Sequence, residues 1–237
     1  GAHYFARLTH RIISALTART NYGALYDVDM RLRPSGRSGP VATQIDGFKD
    51  YQENEAWTWE HMALTRARVV SATPAFAQRV REVIRHVLCR PRDRDLIAGD
   101  VVEMRRAIAE DKGDGELWNL KHVAGGLIDL EFIAQFLQLV HAAKQPDILD
   151  ASTAGVLDRA WRLGILPTEE AETLRGAARL YHNLTQVLRL CLAGPFDPKS
   201  AGHQLTGLLA RAADLPEFAT LEAHLADTQA AVRASFI

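Results

Sequence analysis

The segment ALYDVDMRLR, residues 24–33, sets two carboxylates and two guanidinium groups at alternate positions. Side chains two apart in a strand share a face. Leu25, Asp27, Asp29, Arg31 and Arg33 would therefore point one way, and Ala24, Tyr26, Val28, Met30 and Leu32 the other. Carboxylates supply the hard oxygen ligands that Mg²⁺ takes, and the planar arginine fork matches phosphate oxygens. A face offering both suits a metal-bound nucleotide. The competing reading is an edge strand whose solvated face neutralises itself through salt bridges, and the Asp-x-Asp spacing alone does not separate the two.

A second constellation is Gly125-Gly126-Leu127-Ile128-Asp129-Leu130-Glu131-Phe132. Paired glycines before an apolar helix let another backbone approach closely or break the preceding element. At about 100° per residue, Glu131, Gln135 and Gln138 share one stripe, while Asp129 lies on the apolar side. A carboxylate there needs a partner, because burying an unpaired charge is costly; alternatively Asp129 occupies the first turn and favours the helix dipole. In NEAWTWEHMALTRARVV, residues 54–70, Trp57 and Trp59 read as core, and Glu60, Arg66 and Arg68 as a solvated face or an intrahelical pair set. Arg79, Arg81, Arg85, Arg90, Arg92 and Arg94 form a locally basic run with acids but no aromatics between them, which reads as solvated surface rather than a nucleic-acid face.

The elements that must position these groups are mostly helical. Phe5, Leu8, Ile12 and Leu16 predict an amphipathic helix over 3–19. Asn21-Tyr22-Gly23 is a turn signal, and a strand pair is expected over 24–43, around the Pro34–Pro40 loop. A weak capping box at Thr43 and Asp46 would open the next helix. Thr73-Pro74 starts another, with Thr as N-cap and Pro at the first helical position. Helical patterns follow near 96–111, 127–143, 152–163, 168–192, 201–213 and 216–235, with Gly164 as a C-terminal cap and Pro216 in a first turn. The expected fold is thus α+β and predominantly α, with a boundary near 71–74 where the strand-bearing region gives way to continuous helices.

Composition bounds the function. The 237 residues carry 28 Lys plus Arg against 29 Asp plus Glu, for a formal charge of −1. That balance provides no whole-molecule drive toward nucleic acid or an anionic membrane. No run of about 18 apolar residues exists for a membrane span, and the first residues lack an apolar signal core, so a cytoplasmic protein is expected. Cys89 and Cys191 are too few and too far apart for a disulfide framework. The nine histidines show no H-x-x-x-H or H-E-x-x-H spacing, and no G-x-S-x-G, Walker lysine loop or G-x-G-x-x-G is present.

YDVDMRLRPSGRSGPVAT, followed by DYQENEAWTWEHMALTRARVV and later GGLIDLEFIAQF, closely resembles the bifunctional glutamine synthetase adenylyltransferase/adenylyl-removing enzyme family. The resemblance runs from about residue 5 to the end. AWTWEH and the terminal VRASF look like the adenylylating, C-terminal half. The family has two homologous halves, each a nucleotidyltransferase domain followed by a helical bundle; one transfers AMP from ATP to a tyrosine of glutamine synthetase and the other removes it by phosphorolysis. A PII signal protein and glutamine control the balance.

The resemblance therefore implies a partial nucleotidyltransferase sheet within residues 1–73 and a helical bundle of six or seven helices over 74–237. In such nucleotidyltransferases a D-x-D pair and a third carboxylate hold two Mg²⁺ ions. The third carboxylate matches Asp29, the implied catalytic and metal-binding residue, rather than Asp27. The family's D-x-D pair precedes the helix matched at 3–19 and has no counterpart in this sequence, Asp27-x-Asp29 lying after that helix, which implies a chain inactive on its own. Arg31 and Arg33 match the RLRP motif and imply phosphate contacts, and Glu60, Asp129 and Glu131 match positions bordering the nucleotide cleft. The implied partners are glutamine synthetase, a PII protein and ATP, with glutamine as effector and neither nucleic acid nor membrane. Two further readings stand beside this one: the adenylyl-removing half, and a non-catalytic helical module that binds glutamine synthetase or PII protein.

Overall fold

The computed structural model describes residues 1–21, 23 and 27–236, which form two compact units, Gly1–Val87 and Leu88–Ile237. The first unit carries α1 (Ala2–Thr17), α2 (Ile45–Asn54), α3 (Thr58–Leu64) and nearly all of α4 (Pro74–Leu88). The division falls one helix later than the pattern change near 71–74.

Within this unit, polar contacts between helices do much of the fastening. Arg79 on α4 donates to Asp46 on α2 at 2.7 Å, and His86 lies 2.7 Å from Glu53. Thr73 caps α4 by accepting from the Phe76 amide at 3.4 Å. Trp57 and Trp59 are 71% and 42% exposed, contrary to their core reading; α3 instead buries Glu60, Met62 and Leu64. The apolar positions of α1 follow the expected spacing, and Phe5, Leu8, Ile12 and Leu16 are all exposed.

The expected strand pair and partial nucleotidyltransferase sheet are not seen. Among the described residues there is no strand, only an isolated bridge between Thr20 and Gly23. Ala24, Leu25 and Tyr26 of the expected strand lie outside the described residues. Over 27–39 the backbone groups that a ladder would use are taken by local side chains. The Arg31 amide donates to Asp29 at 2.9 Å, and Arg33 donates to the carbonyls of Met30, Arg37 and Gly39 at 2.6, 3.1 and 3.1 Å. Alternation makes a strand only where main-chain groups find a ladder partner. Here a short 3₁₀ turn at Gly36–Ser38 closes a loop instead.

The second unit is a bundle of α5 (Arg94–Lys112), α6 (Leu127–His141), α7 (Thr153–Arg162), α8 (Thr168–Cys191), α9 (His203–Ala212) and α10 (Phe218–Ala234). α6 packs against α5, α7, α8 and α10, and from Ile128 to Leu139 only Glu131 escapes full burial. A helix apolar on nearly all sides belongs at the centre of its bundle. Asp93 caps α5 by accepting from the Asp95 and Leu96 amides, and Ser152 caps α7 by accepting from Gly155 at 3.0 Å. Gly164, at φ +70°, ends α7 in the left-handed cap that glycine favours. Pro216 lies just before α10 rather than in its first turn. The basic run is not wholly solvated: burial, reinforced by the charge of Arg90, pushes Arg92 down to about 10, and its guanidinium donates to the Leu88 carbonyl at 2.9 Å. No helix among the described residues is long and apolar enough to cross a membrane.

Candidate functional site

Loop 27–39 brings Asp29, Arg31 and Arg33 into one recess of about 410 Å³, which Asp27 and Arg37 also line. The Arg31 fork grips Asp29: Nε donates at 2.9 and 3.0 Å, and Nη2 at 2.6 Å. Hydrogen bonds from the Arg31 side chain, then from its amide, hold the Asp29 carboxyl at about 2. Arg33 is half-buried and committed to the three carbonyls that shape the loop. Gly39 is required there, because a Cβ would lie 1.9 Å from the Pro34 carbonyl oxygen.

Glu60 is buried at the start of α3. Its Oε2 accepts from the Trp57 amide at 3.0 Å, half of a capping box, and its Oε1 accepts from the Tyr51 hydroxyl at 2.8 Å. Burial first, then the neighbouring Glu60, raises the Tyr51 phenol, while the Ser35 backbone lowers it. Tyr51 thus joins the arginine-bearing loop to α3, a link that the sequence reading missed.

In the second unit Asp129 is fully buried and finds the partner that its apolar position demands. Arg105 of α5 donates through Nε to Asp129 and through Nη2 to the carbonyls of His122 and Val123, at 2.9 and 3.4 Å. Asp129 Oδ2 also accepts from the Gly125 amide at 2.6 Å, and Arg233 of α10 approaches it to 3.8 Å. The Gly125 carbonyl accepts from the Tyr181 hydroxyl of α8 at 2.7 Å. Gly125 has φ +78°, and a Cβ there would lie 1.8 Å from the Gln229 carbonyl oxygen. Both glycines of the pair serve close approach, since a Cβ on Gly126 would lie 2.6 Å from the Leu120 carbonyl oxygen. Glu131, on the same helix, is half-buried. Arg105 and Tyr181 escaped the sequence reading, but a signal existed: Ile97, Val101 and Arg105 recur every four residues, so the arginine occupies a core position of α5.

The structure therefore places Asp29, Arg31, Arg33 and Glu60 in the first unit and Asp129 and Glu131 in the second. Among the described residues no group of three or more His, Cys, Asp or Glu side chains could hold a metal ion together. Mg²⁺ is commonly bound by one or two carboxylates with phosphates and water completing its shell. The exposed Asp29 carboxylate fits one such shared ion; the ligand set of a two-metal centre is not present among these residues.

Residues 1–83 match the family model described as glutamate-ammonia ligase adenylyltransferase, and residues 102–234 match that described as PII-uridylyltransferase. Over the whole chain, identity is 63% to a protein of Bradyrhizobium sp. strain BTAi1, 61% to one of Rhodopseudomonas palustris strain BisB5 and 58% to one of Xanthobacter autotrophicus strain Py2. All three are named bifunctional glutamine synthetase adenylyltransferase/adenylyl-removing enzyme, and the chain spans 24% of the length of each. The chain belongs to the glutamine synthetase adenylyltransferase/adenylyl-removing enzyme family.

Proposed function

We propose that this chain is part of a bacterial cytoplasmic enzyme that transfers an adenylyl group from ATP to a tyrosine of glutamine synthetase, under control by a PII protein and glutamine. Residues 1–73 would be the C-terminal part of its nucleotidyltransferase domain and 74–237 its helical bundle. The observation that carries the reading is the Asp29–Arg31 pair beside Arg33 and Arg37, a carboxylate and three guanidinium groups in one recess of a chain from this family.

In the transfer, the tyrosine oxygen bonds to the α-phosphorus while the bond to the β-phosphate oxygen breaks on the opposite side. Pyrophosphate leaves, and the phenolic proton passes to solvent. Mg²⁺, when bound, supplies charge neutralisation and alignment at the phosphates. Asp29 is the carboxylate from this chain that would hold it. Arg31, once released from Asp29, offers a two-pronged donor to phosphate oxygens. Arg33 shapes the loop that presents both, and Glu60 fixes the start of α3 beside that loop; Asp129, sealed in its pair with Arg105, serves the bundle itself rather than the nucleotide. The isolated chain would not turn over, because Asp29 and Asp27 alone make an incomplete ligand set.

The test uses the full-length enzyme and ATP labelled at the α-phosphate. Asp29→Asn should abolish labelling of glutamine synthetase with the circular dichroism spectrum intact; retained labelling overturns the role of Asp29. Phosphate-dependent release of AMP from adenylylated glutamine synthetase, lost in the same variant while labelling persists, would instead assign this half to removal.

A further inference from the structure

Away from the arginine-bearing loop, the second unit contains a trough between α8 and α10, closed at one end by the α9–α10 turn, with a volume of about 480 Å³. Its floor is built from small side chains, including Gly176 and Ala177. A Cβ at Gly176 would meet nothing within 4 Å, so the trough is open directly above that residue. The lining runs along α8 from Glu172 to Asn183, about 16 Å at 1.5 Å per residue, enough for roughly five residues of extended chain.

The rim is charged, and its charges are not paired with one another. Glu172, Asp214 and Asp227 are exposed, against one guanidinium, Arg179, and one imidazole, His224. Among the described residues none of these five side chains has an ion-pair or hydrogen-bond partner, although α8 and α10 pack together and elsewhere in the unit Arg159 finds Asp150 and Arg162 finds Asp158. Carboxylates in excess around a concave, small-floored channel leave a field that a cationic chain would neutralise. We propose that the α8–α10 trough docks a short, extended, basic segment of a partner protein. Its main chain would lie over Gly176, and its lysine or arginine side chains would meet Glu172 and Asp227.

The probe is a fluorescein-labelled five-residue peptide of alternating lysine and alanine, titrated into the 237-residue chain at low salt and followed by anisotropy. Saturable binding is expected. It should weaken about tenfold in the double variant Glu172→Gln/Asp227→Asn and again as salt rises, since these contacts are exposed. Gly176→Leu, which fills the trough and replaces a mid-helix glycine with a better helix former, should weaken it by a similar factor without lowering the melting temperature. Failure to saturate, binding insensitive to Gly176→Leu, or equal binding of the glutamate-for-lysine peptide would each overturn the proposal. Competition by free lysine amide as effective as by the peptide would replace a peptide site with a small-amine site. Self-association of the chain abolished by Gly176→Leu would assign the trough to a second copy instead.

Discussion

Tyr181 and Gly125, 56 residues apart, are joined by a buried hydrogen bond of 2.7 Å from the phenol to the glycine carbonyl. The amide of the same glycine donates to Asp129. One peptide segment is thereby held from both sides, by α8 and by α6, while the backbone of α10 lies where a Cβ would be. The GGLIDLEF motif thus has a structural role independent of any nucleotide chemistry, and this role sets the first predictions.

Gly125→Ala should be severely destabilising. The left-handed φ and the approach of the Gln229 carbonyl act together, and neither is a flexible side-chain end that could move aside. A loss of about 3 kcal/mol or more is expected. The measurement is the urea midpoint by near-ultraviolet circular dichroism, at unchanged slope.

Breaking the Arg105–Asp129 pair from one side leaves an uncompensated buried charge. Arg105→Met and Asp129→Leu should each cost about 3–5 kcal/mol. The double variant should cost clearly less than their sum, a coupling that a double-mutant cycle reads directly. Strict additivity would mean that the pair is not coupled in solution.

Burial, with the Asp129 charge adding to it, raises the Tyr181 phenol above its ordinary value of 10.0. The folded state then holds this proton more tightly than the unfolded state. Its contribution is fully present below about pH 10 and is lost as pH rises from there toward the folded-state value. Stability should therefore fall with alkaline pH. Tyr181→Phe should flatten that fall, at a cost of about 1–2 kcal/mol near neutrality from the orphaned Gly125 carbonyl. Thermal melts at pH 7 and above pH 10 compare the two slopes.

Arg33→Lys keeps the charge but cannot reach three carbonyls with one planar fork. The amides of Gly36, Ser38 and Gly39, which close the local turns, should exchange about tenfold faster in the variant. Hydrogen exchange followed by NMR gives the ratio, and unchanged exchange would show that the turn stands without its arginine.

Helix placement was largely legible in the sequence because period, caps and stops agree locally. Thr73-Pro74 opens α4 and Gly164 ends α7 as their chemistry dictates. The strand over 24–33 was not legible, because alternation reports only which side chains would share a face. It does not report that Asp29 and Arg33 would claim the main-chain donors and acceptors of their own neighbours. Trp57 and Trp59 failed for a related reason: size and hydrophobicity argue for burial, but Glu60 satisfies the first turn of α3 from inside and leaves both indoles toward solvent. For Asp129 the need for a partner could be read from the helix wheel, and the partner's identity could not, since Arg105 lies 24 residues away on another helix.

Gln229 donates to the Leu117 carbonyl at 2.9 Å, and Glu222 accepts from the Trp118 indole at 2.9 Å, across 112 and 104 residues. At translation rates of about 5–20 residues per second, the stretch between Leu117 and Gln229 takes roughly 6–20 s to make. Once His141 has been made, for the remaining 88 residues to Gln229 the paired glycines and the most apolar helix of the bundle exist without the part of α10 that locks them. The nascent bundle is therefore exposed to aggregation or chaperone capture for as long as α10 is still being synthesised, and a stop codon ahead of residue 229 would make that exposure permanent.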